Sequence, residues 1–306
     1  MVKNTEKRDM ARITRRSFTT YGVSGSLSMP LLANLAQAAP ATTNQAFKLG
    51  LVTYNLGAKF DVPTLIRVCK ATGIGPVELR TTHSHGVEPS LTKDQRKEVR
   101  KKFQDSGVEI WGCGSVCEFH AAEQAKVQEN IETCKKFVEL VQDIGGKGVK
   151  VRPNGFPKGV PEEKTLEQIG KALVECGKAA SNAGVEIWVE VHGSGTAKPK
   201  NMHTIMKHCN HPSVGVTWNS NADDVQNGSV KESFELLKPW IKSCHINDLF
   251  KDQSGQYPYR ELFSLFTKSG YNRTTLIEVG RTFPDEASTI EFLKYYKALW
   301  LELCKG

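Results

Sequence analysis

Residues 165–193 read Thr-Leu-Glu-Gln-Ile-Gly-Lys-Ala-Leu-Val-Glu-Cys-Gly-Lys-Ala-Ala-Ser-Asn-Ala-Gly-Val-Glu-Ile-Trp-Val-Glu-Val-His-Gly. Leu166, Ile169, Leu173 and Cys176 recur at helical spacing, so the first part is an amphipathic helix over Thr165–Ala183. Gly184 follows, a residue suited to ending a helix in the left-handed conformation. The chain then runs directly into Glu186–Val191, a short apolar strand of the kind buried on both faces of a parallel sheet. One helix, one glycine and one strand make an αβ unit, and the unit recurs in both directions along the chain.

Upstream, the strand candidates are Lys48–Tyr54, Pro76–Leu79, Glu109–Gly112 and Gly148–Arg152. Downstream they are Val214–Trp218, Ser243–Ile246 and Thr275–Val279. Helices are expected at Val62–Ala71 with Asp61 as its cap, Thr92–Ser106, Glu123–Ile144, Lys200–His208, Ser229–Leu237, Tyr259–Ser269 and Asp285–Leu303. Gly73, Gly107, Gly145 and Gly270 repeat the helix-ending role of Gly184. Strand and helix alternate at about 30 residues per unit. The turn after the first strand reads Thr53-Tyr54-Asn55-Leu56-Gly57 and lacks the glycine-rich phosphate loop of an open dinucleotide-binding sheet. The pattern predicts a closed (β/α)₈ TIM barrel, a single domain over residues 48–306.

The first residues are of another kind. Lys3, Lys7, Arg8, Arg12, Arg15 and Arg16 supply much of the formal net charge of +8. Thr14-Arg15-Arg16-Ser17-Phe18 resembles a twin-arginine export signal. A weakly apolar stretch, Tyr21 to Leu35, follows, and then the small-x-small run Ala36-Gln37-Ala38. The stretch is too short and too polar to be a stable membrane anchor. The expectation is a signal peptide over 1–38, a linker over 39–47, and a protein exported folded to the periplasm or beyond. Without that segment the chain is only mildly basic, and no basic run is interleaved with aromatics. Nucleic acid is therefore not expected as a partner.

All eight cysteines lie beyond the leader, most within predicted strands or helices, and are expected to be buried free thiols. Cys113 and Cys117 have a spacing used in metal sites, but no second pair accompanies them.

A barrel of this kind carries its chemistry at the C-terminal ends of its strands. Those ends read Glu78-Leu79-Arg80, Lys150-Val151-Arg152, Glu190-Val191-His192-Gly193, Trp218-Asn219-Ser220-Asn221, His245-Ile246-Asn247-Asp248 and Glu278-Val279-Gly280. Glu190 and Glu278 each follow an apolar run. Two carboxylates converging on one barrel mouth repel, and a cation between them removes the conflict. With the oxygen of Asn219 and the imidazole of His245, the ligand set is mixed oxygen and nitrogen. It suits one divalent ion among Mn, Mg, Co, Fe and Zn without choosing between them. Other roles remain open here: Glu78 can salt-bridge to Arg80, Asn219 can be a turn residue, and a lone strand histidine can be a core residue.

These strand ends, in this order and spacing, resemble the xylose isomerase-like TIM-barrel superfamily of sugar phosphate isomerases and epimerases, from about Lys48 to Tyr296. The resemblance implies a Glu, Asp, His and Glu set binding one divalent metal, matched by Glu190, Asn219, His245 and Glu278. Asn219 stands where the family more often has Asp, which removes one negative charge. The implied reaction is proton transfer on a sugar or keto-sugar through an enediolate, with Glu190 and Glu278 as base and acid. The implied substrate contacts are Glu78, Lys150, Arg152, His192, Trp218 and Asp248, with Phe119 as an alternative to Trp218 against the sugar face. β-Elimination on an oxidised glycoside and a non-catalytic sugar-binding barrel are the alternatives. The superfamily's endonuclease branch needs more metal ligands. The pair His83 and His85 mimics part of that set, but the ends of strands three and four offer none. A dimer or tetramer is compatible with this reading, and sugar phosphates are disfavoured by the lack of a phosphate-cradling loop.

Overall fold

Eight parallel strands close on themselves in the order in which they occur in the chain. They are β1 (Lys48–Val52), β2 (Val77–Arg80), β3 (Ile110–Glu118), β4 (Gly148–Arg152), β5 (Glu186–Glu190), β6 (Val214–Asn219), β7 (Ile241–Ile246) and β8 (Thr274–Ile277). β8 pairs with β1 from Lys48↔Thr274 to Leu51↔Ile277, which completes the ring. This computed structural model describes residues 46–305. The expected signal peptide and nearly all of the expected linker lie outside the described residues. The (β/α)₈ barrel expected from the alternation is the fold found.

The long helices are α2 (Val62–Thr72), α3 (Lys93–Ser106), α4 (Gln124–Ile144), α5 (Glu162–Asn182), α6 (Pro199–Cys209), α7 (Lys231–Leu237), α8 (Tyr259–Lys268) and α9 (Glu286–Leu303). A single helical turn, α1 (Tyr54–Gly57), starts where the first strand was expected to continue. Local chemistry sets the helix ends. The Asp61 carboxylate accepts from the Thr64 amide at 2.8 Å, and Thr92 with Gln95 forms a reciprocal capping box. Gly73, Gly107, Gly145, Gly184 and Gly270 all have positive φ, as their expected role requires. No helix among the described residues is long and apolar enough to cross a membrane.

The strands divide their side chains by parity. Leu51, Val149, Val151, Ile187, Val189, Val216, Cys244, Ile246 and Ile277 join the helices in the large outer core. Val52, Trp111, Trp188 and Leu276 form a separate small cluster inside the barrel. Trp111 and Trp188 stack there with ring centroids 5.1 Å apart. Trp111 reaches the interior through a bulge: Val77 pairs with Ile110 while Glu78 pairs with Gly112, leaving one residue over. The indole pair fits because Gly148 leaves space for it; a Cβ at Gly148 would lie 2.5 Å from the Trp188 ring. The Trp188 indole nitrogen donates to Glu186, which Arg273 and Lys242 also engage. All eight cysteines are free, and seven of them are buried.

Candidate functional site

Two residues further along each strand, the same inward parity gives a polar layer above the tryptophans. Trp188 is followed inward by Glu190, Gly148 by Lys150 and Arg152, and Leu276 by Glu278. Asn219 and His245 face in from β6 and β7, where they are paired in register. Glu190, His245 and Glu278 each present a ligand atom within 4.8 Å of the others. His245 Nδ1 stands 3.6 Å from Glu190 Oε1 and 3.2 Å from Glu278 Oε2. His245 is fully buried and Glu190 nearly so.

The surrounding groups hold this cluster in place. Lys150 Nζ donates to Glu190 Oε2 at 2.8 Å, a pair with both side chains about 4% exposed. The Asn219 amide nitrogen donates to Glu190 Oε1 at 3.2 Å. His245 Nε2 lies 3.2 Å from Glu78 Oε2, and Glu78 is wholly buried. When the ring is neutral, a proton kept on Nε2 for Glu78 leaves the Nδ1 lone pair facing Glu190 and Glu278.

Charge is densely paired. Burial opposes the charged form of Glu190, but Lys150 and His245 outweigh it and hold its carboxyl well below the usual range. Burial also disfavours the cation at His245, yet Glu278 and Glu78 overcome it, and the ring pKa stands well above its ordinary value. The Lys150 ammonium is disfavoured by burial and then raised by Glu190, Glu78 and Glu278.

The donor set fits a divalent ion. His245 Nδ1 and Asn219 Oδ1 are buried without a hydrogen-bond partner. Two carboxylates converge on that same nitrogen. Buried polar atoms ordinarily find partners, and these two belong to groups that ligate hard or borderline cations.

Above the cluster opens a polar cavity of about 430 Å³. Of the substrate contacts expected from sequence, Lys150, Arg152 and His192 line it, together with Glu190, Asn219 and Glu278. Arg152 is engaged by Glu118, which also accepts from Asn154 at 2.7 Å. The close approach of Gly193 to the Asn154 backbone, at φ +94, brings the β4 and β5 loops together there.

The remaining expected contacts lie elsewhere. Trp218 follows the opposite parity from its neighbour Asn219. It packs outward against Phe234, and its indole nitrogen donates to the Tyr257 hydroxyl at 2.9 Å. Phe119 is fully buried in the outer core. Glu78 is sealed beneath His245, so it orients that ring and does not meet a substrate. Asp248 sits at the rim, paired with Arg281 at 2.9 Å and accepting from the Phe250 amide. His83 Nδ1 contacts the Thr53 hydroxyl at 3.0 Å. His85 donates to the Arg80 carbonyl and accepts from the Val87 amide, so both of its nitrogens are used locally.

Sequence reasoning did not single out five residues that complete the wall: Tyr54, Arg80, Asn221, Asn247 and Gly280. Three of these stand two places after an inward residue: Asn221 after Asn219, Asn247 after His245, and Gly280 after Glu278. Arg80 bears the same relation to Glu78. The two-residue strand period, extended past each strand end, was the signal that would have found these four.

Comparison with known proteins identifies the fold and the family. A family model described as Xylose isomerase-like TIM barrel matches residues 66–299. Among solved structures, a 3-keto-D-glucoside 4-epimerase from E. coli superposes with a TM-score of 0.68 at 13% identity, covering 84% of this chain and 100% of that one. A D-psicose 3-epimerase crystallised in the presence of D-fructose gives 0.70 at 13% identity, covering 85% and 100%. The IolI protein with a bound zinc atom gives 0.68 at 16% identity, covering 84% and 98%. No curated protein matches the chain by sequence.

Proposed function

The chain belongs to the xylose isomerase-like TIM-barrel family, and from that premise we propose that it is a metal-dependent isomerase or epimerase of a sugar or keto-sugar. The observation that carries the reading is the convergence of the Glu190 and Glu278 carboxylates on Nδ1 of His245. The similar structures include sugar epimerases, which supports a sugar as the small-molecule substrate.

Glu190, His245 and Glu278, with the oxygen of Asn219, would hold the ion. A divalent ion bound there would supply Lewis-acid polarisation of a substrate oxygen and so raise the acidity of the neighbouring C–H. Glu190 and Glu278 rise from opposite flanks of the ligand group, on β5 and after β8. One takes the proton as the enediolate forms, and the other returns it. Lys150 keeps Glu190 ionised and fixed in direction. Asn221, Asn247 and His192 offer hydrogen bonds to hydroxyl groups at the cavity wall. Export of the folded protein, with a leader ending near Ala38, is part of the same proposal. N-terminal sequencing of the secreted chain tests it.

The function itself is tested with Glu190→Gln and Glu278→Gln. Both variants are expected to lose bound metal and to stop exchanging substrate C–H with deuterium from solvent. Full metal content and undiminished exchange in both would remove the proposal.

A further inference from the structure

The cavity holds three cationic side chains, and two of them are committed. Lys150 is bonded to Glu190, and Arg152 to Glu118. Arg80 is different. Among the described residues its guanidinium has no carboxylate or carbonyl partner, yet its position is tightly set. Its amide donates to the Thr53 hydroxyl at 3.0 Å, and its carbonyl is engaged by His85 Nε2 at 2.9 Å. Its Cζ lies over the Tyr54 ring, 5.0 Å from the centroid, a cation–π contact that restrains the guanidinium. With its side-chain donors unspent, the guanidinium is free to pair with a carboxylate, whose two oxygens match its fork.

Its place in the ring of strands gives the second part of the argument. Arg80 ends β2, and Asn219 ends β6, the strand opposite it in the closed order. A ligand held by Glu190, His245 and Glu278 on one side therefore spans the cavity towards Arg80 on the other. A cavity of about 430 Å³ accommodates one monosaccharide-sized molecule. Among the described residues, Arg80 is thus the cation of this cavity without an anionic partner.

We propose that Arg80 is the residue that sets substrate specificity, and that the substrate is a sugar acid whose carboxylate it binds. The inference rests on the sugar isomerase or epimerase reading of this cavity. It adds the requirement for a negative group on the part of the substrate that faces β2.

The test is calorimetric titration of the purified full chain with D-galacturonate, D-gluconate, D-galactose and D-galactose 6-phosphate, with metal content measured in parallel. At least one acid is expected to bind about tenfold or more tightly than galactose, the scale of a charge-assisted hydrogen-bond pair. Arg80→Met is expected to abolish that preference, and Arg80→Lys to restore part of it. Equal binding of acids and galactose overturns the proposal, as does a preference that survives in Arg80→Met. Tighter binding of the phosphate than of either acid overturns the carboxylate assignment. Metal content separates the two readings. An Arg80-dependent acid preference in a protein that takes up no metal upholds this inference and removes the metal-dependent function. Metal uptake and sugar turnover with no acid preference do the reverse.

Discussion

Nε2 of His245 and Oε2 of Glu78 lie 3.2 Å apart in a wholly buried contact across the barrel interior. The pair ties β7 to β2 through the interior and aims the other ring nitrogen at Glu190 and Glu278. Glu78→Gln keeps the shape but weakens the acceptor that holds the ring. Affinity for Mn²⁺ or Co²⁺ is expected to fall about 10–100-fold. Isothermal titration with either ion measures it, and an unchanged affinity would separate Glu78 from metal binding.

Asn219 carries the opposite expectation. Its amide nitrogen now donates to Glu190, and its oxygen is unpartnered. Asn219→Asp places a third carboxylate beside Glu190 and Glu278. Metal affinity should rise by roughly tenfold, since a full negative charge joins the ligand set. A variant that binds no more tightly than the parent would show that the position does not contact the ion.

Behind the cavity wall, where it accepts from the Asn221 amide, Asp224 provides a pH signature. Burial pushes its carboxyl up to about 8, against hydrogen bonds from Asn221 and Tyr257 that act to lower it. The folded state therefore holds a proton that the unfolded chain releases near pH 4. Stability from this group is complete at the acid end and declines as pH rises from about 4 towards 8. Asp224→Asn should flatten that decline, with a higher melting temperature than the parent at pH 8 and a difference that closes towards pH 4. Parallel melting curves across the range would refute this reading of the side chain.

At the barrel floor, Gly148→Ala would drive a methyl group to 2.5 Å from the Trp188 indole. Overpacking of this kind costs about 1–3 kcal/mol. Urea unfolding of the variant measures the loss; an alanine accommodated at no cost would mean that the indole pair has room to shift.

The barrel was legible because Gly73, Gly107, Gly145, Gly184 and Gly270 each follow a helix and lead into a short apolar strand, a regularity that needs no knowledge of contacts. Glu190, His245 and Glu278 stood out because polar groups interrupt apolar runs at equivalent places. Trp218 was misplaced for a reason available in the same strand: it adjoins Asn219, and neighbours on a strand face opposite ways. The third strand was expected to stop at Gly112 but continues to Glu118. Glycines there resemble turn signals, whereas they mark close packing: a Cβ at Gly114 would meet Glu78 Oε1 at 2.8 Å. Neither the seal of Glu78 under His245 nor the engagement of Arg152 by Glu118 has a local sequence signature. Both join residues brought together only when the ring of strands closes.

The stacked indoles of Trp111 and Trp188 make the chamber a cul-de-sac. A ligand in this cavity therefore has no route through the barrel axis, and it arrives and departs on the side of the C-terminal strand ends.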